Sequence, residues 1–449
     1  MKGNNVDKFI RNPKKALFRL AAPVVIAMIV QTMYNIVDTA FVGRLGADAI
    51  AGVTFSFPLF FILIAIDSGV GVGVASRISR FLGERKKIEA ENAAMHGLLA
   101  SILFSVIVFV LGLFALKPLF LVFGASGNVL KLSMDYMTII LTGVFFMFPS
   151  YVLNSIFSAQ GDTKTPMKIQ IAALILNAVL DFVFIYLLGY GVKGAALATV
   201  IAFAFSLLLY LHHIKSSYLH IKLKSFRFSF KLLKEIFSVG IPASLMMFLL
   251  SIYVIFLNRF MAYFGTNYVA AFGIAVRLES VALLPVIGFS IALLTLVGMF
   301  TGVKRLDLVR GISWYAIKIG VIATSLVGVI FFIYPPIFFR IFTNDVELIR
   351  IGSAYLRIDV FTFPMMAISM VISRVMQGMG YGLPGLVVNL VRIFIVAVPL
   401  AYLFVYVLGY GYLSIAVAML LGGIASNMIA VSWLIVKLRN VEIKKINDF

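Results

Sequence analysis

The chain has 449 residues, of which 62% are hydrophobic and 12% charged, and a mean hydropathy of +1.07, a balance that no soluble globular domain approaches. Cysteine is absent, which excludes a disulfide framework, a thiolate metal site and a cysteine nucleophile. The net charge of +20 would suggest nucleic acid in a soluble protein, but in a membrane chain it must be read through topology, and no nucleic-acid partner is expected.

Residues 1–15 are polar and basic without an apolar core, so they read as a tail and not as a removable signal peptide. Apolar stretches of about the 20 residues needed to cross a bilayer then recur along the chain. Twelve are expected, over 16–42, 50–76, 93–116, 136–158, 168–188, 194–214, 236–262, 268–300, 312–334, 355–376, 386–407 and 413–436. The basic stretch from His212 to Lys234 is the longest polar connection. It divides the chain into an N-terminal lobe (1–214), a cytoplasmic linker (215–234) and a C-terminal lobe (235–449). With the N-terminus inside, 28 Lys and Arg fall on the inner side and 8 on the outer, which places both termini in the cytoplasm of a multi-pass cell-membrane protein. The charge excess is thus a topology signal, with anionic lipid as a secondary contributor.

The two halves repeat. Pro23, Tyr34 and Gly46 map onto Pro242, Tyr253 and Gly265 at a shift of 219, and Leu188-Gly189-Tyr190-Gly191 recurs as Leu408-Gly409-Tyr410-Gly411 at 220. Gln160-Gly161 matches Gln377-Gly378 at 217. Six helices is an even number, so both halves enter from the same side. The expected fold is an all-α polytopic membrane protein, with twelve transmembrane helices in two six-helix bundles related by a pseudo-twofold along the membrane normal.

The acids break the repeat. Asp38 lies inside the first apolar run and Asp181 inside the fifth, whereas the positions at the repeat shift are Leu257 and Leu400 or, at a shift of 218, Pro399. Carboxylates within a membrane segment are costly and mark ion or proton pathways by default. Asp38 stands five residues before Gly43 and Asp181 eight before Gly189, so at about 1.5 Å rise per residue they lie at similar depth and can share one cavity. Asn177 is one turn before Asp181 on the same face. Thr199 stands nine residues after Tyr190 and Asp181 nine before it, side by side in antiparallel neighbours. Two carboxylates, an amide and a hydroxyl suit a hard cation, here a monovalent one, and two close carboxyls can alternatively share a proton. Asp38, Asn177, Asp181 and Thr199 are therefore the candidate coupling-ion or metal ligands. Interhelical hydrogen bonding is the competing role for Asn177 and Thr199.

Gln31 and Tyr34, seven and four residues before Asp38, extend a polar stripe along helix 1 and, with Asn154, are candidates to line a substrate cavity. Pro23 removes a backbone bond and is the candidate hinge of helix 1. Asp67 is expected to face a cytoplasmic vestibule, Asp359 to sit at the outer end of helix 10, and Arg277 and Glu279 to pair with different helices. Gly69-Val-Gly71-Val-Gly73 lacks a preceding strand and reads as close helix packing, not a nucleotide loop.

With these residues in view, the chain resembles the multidrug and toxic compound extrusion (MATE) family over essentially its whole length. The resemblance rests on Ala22-Pro23 through Asn35-Ile36-Val37-Asp38-Thr39-Ala40-Phe41-Val42-Gly43 and Leu45-Gly46. It continues in Gln160-Gly161-Asp162-Thr163-Lys164-Thr165-Pro166, Asn177-Ala178-Val179-Leu180-Asp181, Gly194-Ala195-Ala196 and Arg277-Leu278-Glu279. It is most similar to the DinF-type branch, which includes archaeal members. The resemblance implies a transporter, not an enzyme, which exports organic, often cationic amphipathic compounds by alternating access, driven by H+ or Na+ and without a cofactor. It also implies that the coupling ion is carried by Asp38, Asn177, Asp181 and Thr199. Another branch has a glutamate in helix 7, and Pro242 to Asn258 contains no acid, so no coupling site is read in the C-terminal lobe. The expected partners are small organic substrates and the lipid bilayer, and the chain is taken as a monomer. The alternative is a flippase for a lipid-linked precursor, which shares the fold.

Overall fold

The computed structural model describes residues 5–43, 45–221 and 226–447, with the backbone alone given for 35–37, 39, 40, 47 and 440–447. The described residues form helices and no β-strand. A short α1 (Val6–Arg11) leads into α2 (Pro13–Gly43), α3 (Ala47–Gly83), α4 (Lys87–Val122), α5 (Gly127–Ala159), α6 (Lys164–Asp181) and α7 (Gly191–Ile214). After the linker come α8 (Phe230–Ala262), α9 (Thr266–Gly302), α10 (Leu306–Ile333) and α11 (Pro335–Arg340). The last part of the chain comprises α12 (Val346–Asp359), α13 (Thr362–Met379), α14 (Leu383–Leu390), α15 (Val398–Tyr402) and α16 (Leu413–Asn447). Three π-helical segments interrupt this pattern: π1 (Phe182–Leu187), π2 (Val391–Ala397) and π3 (Leu403–Val407). Eleven helices among the described residues are long and apolar enough to cross a membrane. α12 and α13 together, bent by 50° between them, pass the same test as a pair and make a twelfth candidate.

That break has a local cause. Pro364, in the first turn of α13, lacks the N–H that would continue the ladder back to Val360, and its ring crowds the carbonyl of that residue. The Thr362 hydroxyl donates to the Asp359 carbonyl at 2.7 Å and to Asp359 Oδ1 at 3.2 Å, which holds the corner.

The chain divides into two compact units, one of residues 1–7 and 22–244 and the other of residues 8–21 and 245–449. Two helices are thus shared: α2 changes unit between residues 21 and 22, beside Pro23, and α8 between 244 and 245, just after Pro242. The core of the first unit is built from α3, α4, α5 and α7 around Phe120, Phe148, Ile140 and Val144. The core of the second gathers α8, α9, α12, α13 and α16 around Tyr355, Phe363, Phe339 and Leu257.

The internal repeat extends to the backbone. Positive φ recurs at Gly46 and Gly265, at Arg85 and Lys304, at Gly161 and Gly380, and at Gly189 and Gly409. The left-handed conformation is thus kept at equivalent turns even where a side chain occupies it. The π-helical turn before Leu188-Gly189-Tyr190-Gly191 likewise recurs before Leu408-Gly409-Tyr410-Gly411. One sequence match does not hold in space. Gly161 corresponds to Gly380, because both take the left-handed φ after a helix, whereas Gly378 lies inside α13, where a Cβ would meet Leu294 O at 2.8 Å.

The Gly69–Gly73 stripe is a packing surface. A Cβ at Gly69 would stand 2.8 Å from the Gly240 carbonyl of α8, and one at Gly240 would stand 2.6 Å from the Gly69 carbonyl. The two backbones touch where side chains are absent. At the adjoining end of this crossing Arg77 pairs with Glu235 at 2.6 Å and lies over the Phe81 ring at 3.8 Å.

Candidate functional site

In the first unit α2 and α6 face one another with matched polar stripes. Tyr34 and Asp38 are one turn apart on α2, and Asn177 and Asp181 one turn apart on α6, so each pair projects from one helix face. Further along the same stripes, Gln170 Nε2 donates to Gln31 Oε1 at 3.2 Å. The Tyr34 hydroxyl is the hub. It contacts Asn177 Oδ1 closely and also reaches Asp38 Oδ1 and Asp181 Oδ2, each at 3.4 Å. Asn177 Nδ2 donates to Asp181 Oδ2 at 3.3 Å. Asp181 is fully buried, Asn177 is 4% exposed and Asp38 is half-buried.

The hydrogen-bond inventory is unbalanced. A phenol has one hydrogen, so Tyr34 serves one of its three acceptors at a time. The Asn177 amide supplies a donor to Asp181 Oδ2, while Asp181 Oδ1 is buried with no donor among the described residues. The two carboxyl groups are within hydrogen-bonding reach of each other, a contact that two bare carboxylates cannot satisfy. This corner of the unit is rich in acceptors and short of hydrogens, a shortage that a proton or a cation would fill.

The surrounding structure fixes this geometry. π1 begins at Phe182, immediately after Asp181, and such bulges widen a helix and re-aim the residues beside them. The Tyr186 hydroxyl donates to the Phe41 carbonyl of α2 at 3.1 Å, and the two rings meet edge-on at 5.7 Å. Tyr136 of α5 lies within electrostatic reach of both carboxyls, an aromatic hydroxyl that the sequence reading did not single out.

The other sequence candidates are placed differently. Thr199 of α7 is half-buried and turns its hydroxyl back to the Ala195 carbonyl at 3.0 Å. Asn154 of α5 accepts from Ser158 Oγ at 3.4 Å and hydrogen-bonds Tyr210 of α7. Pro23 sits inside α2, which runs helical on both sides of it. Among the described residues no three His, Cys, Asp or Glu side chains gather as a metal site. The oxygen set around Asp38 and Asp181 is two carboxyls with neutral partners, which suits a proton or a monovalent cation better than a divalent metal.

Three positions differ from the sequence reading. Asp67 does not open on a vestibule: it is 1% exposed in the interior of the first unit. Asp359 is 1% exposed at the α12–α13 corner and not at an outer end. Arg392, one of the 28 Lys and Arg assigned to the inner side, is 8% exposed in π2. The second unit therefore holds a buried polar cluster of its own. Glu279 of α9 lies within electrostatic reach of both Arg392 and Asp359, and the Arg392 guanidinium stands 6.0 Å from the Tyr253 ring. Tyr253 is the repeat partner of Tyr34, so an equivalent tyrosine stands in the cluster of each unit. The acids themselves come from non-equivalent helices, which is why a position-by-position comparison passes over them.

The MatE family model matches residues 23–183 and again 242–403, so the two matches start 219 residues apart, at Pro23 and Pro242, and end 220 apart. The chain belongs to the MATE family. It is a multi-pass membrane transporter of this family and not an enzyme. It is 27% identical over 425 residues to the probable multidrug resistance protein NorM of Thermotoga maritima, covering 91% of this chain and 89% of that protein. It is also 27% identical over 428 residues to a protein of Shewanella oneidensis named as an FAD transporter, covering 93% and 94%. Among solved structures, a multidrug resistance MATE transporter in an outward-facing conformation superposes with a TM-score of 0.94 at 30% identity, covering 98% of this chain and 99% of that one.

Proposed function

We propose that this MATE transporter exports organic, often cationic and amphipathic compounds in exchange for a proton or sodium ion bound at Asp38 and Asp181. The observation that carries the reading is the donor shortage between α2 and α6: two carboxyl groups in contact, one phenol serving three acceptors, and a buried Asp181 oxygen without a donor. The ion fills that shortage. Tyr34 and Asn177 orient the carboxyls, Thr199 completes the set when its hydroxyl leaves the Ala195 carbonyl, and Gln31, Tyr34 and Asn154 line the substrate path. Lobes 1–214 and 235–449, joined by the linker 215–234, act as the two halves of an alternating-access device. The protein works as a monomer in the cell membrane with both termini cytoplasmic and needs no cofactor.

The reading is tested in proteoliposomes holding the purified protein, with proton and sodium gradients imposed separately. Ethidium is the cationic probe and FAD a second, anionic one. Gradient-driven ethidium movement that Asp38→Asn and Asp181→Asn abolish supports it. Movement of FAD alone, or ethidium flux indifferent to both gradients, overturns it.

A further inference from the structure

Asp67 lies 20 residues after Ala47 and 16 before Gly83, so it is near the middle of α3, about 24 Å from the Gly83 end at 1.5 Å per residue. It is 1% exposed, and neither of its carboxyl oxygens has a hydrogen-bond partner among the described residues. Its face of the helix is shared with Gly71 and Val74, four and seven residues on. Both positions are closed by neighbours. A Cβ at Gly71 would stand 2.5 Å from Ser155 Oγ and 2.7 Å from the Tyr151 ring, both of α5, and one at Gly97 of α4 would stand 3.1 Å from Val74 Cγ1. The hydroxyls nearest in sequence to this part of α4 are spent elsewhere: Ser101 on the Leu98 carbonyl at 2.7 Å, and Ser105 on the Ser101 and Val144 carbonyls at 2.8 and 3.0 Å.

Several charged and titratable groups on α3, α4 and α5 are likewise committed elsewhere. Arg77 of α3 is held by Glu235 of α8 at 2.6 Å, and Arg80 donates to the Ser76 carbonyl at 3.2 Å. The two ring nitrogens of His96 on α4 are taken by the Asn92 carbonyl and the Ser229 N–H. Tyr151 of α5 presents its ring at Gly71. None of these contacts reaches Asp67. A bare carboxylate in such a place carries the full cost of an unpaired buried charge, and a metal ion would need several more oxygens than the site offers.

We propose that Asp67 is a second proton-binding site of the first unit, separate from the Asp38–Asp181 pair. It holds its proton while α3 is packed against α4 and α5, and gives it to water when that face opens. Its place in a transport cycle rests on the exporter reading above; the site itself does not.

The test is infrared difference spectroscopy of the full-length protein in lipid bilayers, with pH steps and without substrate, reading the C=O stretch of protonated carboxyl groups and the protons released per chain. Wild type is expected to show a protonated-carboxyl band that persists in the Asp38→Asn, Asp181→Asn double variant and is absent from Asp67→Asn. Asp67→Asn is expected to release one proton fewer per chain across the steps. Asp67→Leu serves if the Asn variant fails to fold: it leaves no orphaned polar atom, so it is expected to melt no lower than wild type and to lack the same band. Bands and proton release unchanged in both Asp67 variants overturn the proposal, as does a marked fall in melting point for Asp67→Leu, which would reveal a partner for the carboxyl. Failure of the exporter reading shows separately, as ethidium flux indifferent to Asp38→Asn.

Discussion

Replacing Asp181 by Asn, or Asp38 by Asn, changes the inventory between α2 and α6 in a calculable way. Each substitution removes one negative charge and turns one acceptor oxygen into an amide with two hydrogens. Two ionised carboxylates about 4 Å apart repel by about 4 kcal/mol at an effective dielectric constant near 20, and relieving that repulsion is what a bound cation contributes in the arrangement where the helices meet. An ion shifts a two-state equilibrium only by its differential affinity for the two states. Loss of a bias of about 4 kcal/mol corresponds to roughly a thousandfold, and loss of half of it still exceeds tenfold. Gradient-driven ethidium efflux should therefore fall at least tenfold in each single variant. The protein itself should fold at least as well as wild type, because the Asp181 oxygen without a donor is replaced or its neighbour gains hydrogens. Efflux in proteoliposomes, with the thermal midpoint measured on the same preparation, checks both halves. Normal gradient-driven efflux in both variants refutes the reasoning. So does efflux lost together with a much lower melting point, because the effect would then be one of folding.

Three further outcomes are expected. Tyr34→Phe removes the hydroxyl that contacts three acceptors, and at about 1–1.5 kcal/mol for a hydrogen bond it should weaken ion dependence by roughly five- to tenfold in the efflux assay while leaving the melting point close to wild type. Leu257→Asn places an amide at the repeat partner of Asp38, but Leu257 is 2% exposed in the second unit's core. It should cost about 1–3 kcal/mol of stability without changing the ion dependence of the protein that folds, as read by thermal melting beside efflux. Spin labels at Ile29 of α2 and Ile175 of α6, both exposed, should report a distance that changes between low and high pH or sodium, and Pro23→Ala should narrow that change by restoring the missing backbone bond.

The helices were legible because a bilayer sets a length, and twelve apolar runs of that length stand out against basic connections. Their ends were less so: α3 continues to Gly83 instead of stopping near residue 76, because Arg77 and Arg80 satisfy themselves on Glu235 and on the Ser76 carbonyl and need no apolar surroundings. The break in the tenth span carried a signal, Pro364, that apolar length alone does not weigh. In the site, Asp38, Tyr34, Asn177 and Asp181 were readable from helical spacing, since residues four apart share a face. Tyr136 was not, because its relation to the carboxyls runs between helices α5 and α2 and no periodicity encodes it. Asp67 was misplaced for a related reason. Its ten-residue distance from Arg77 gives a height along α3 but not the side from which α4 and α5 close over it.

The two units make the same scaffold solve the same electrostatic problem in opposite ways. In the first, Asp38 and Asp181 meet around Tyr34 and Asn177, with no Lys, Arg or His in any contact found among the described residues of the cluster. In the second, Glu279 and Asp359 are accompanied by the guanidinium of Arg392, beside the equivalent tyrosine Tyr253. A cluster that carries its own cation is partly compensated by the chain itself and has less to gain from a proton or sodium ion. A cluster that lacks one changes its net charge whenever an ion comes or goes. Under the proposed coupling the first unit is therefore the one suited to register an ion gradient, and introducing a cation there, as Arg392 does in the second, would be expected to freeze it.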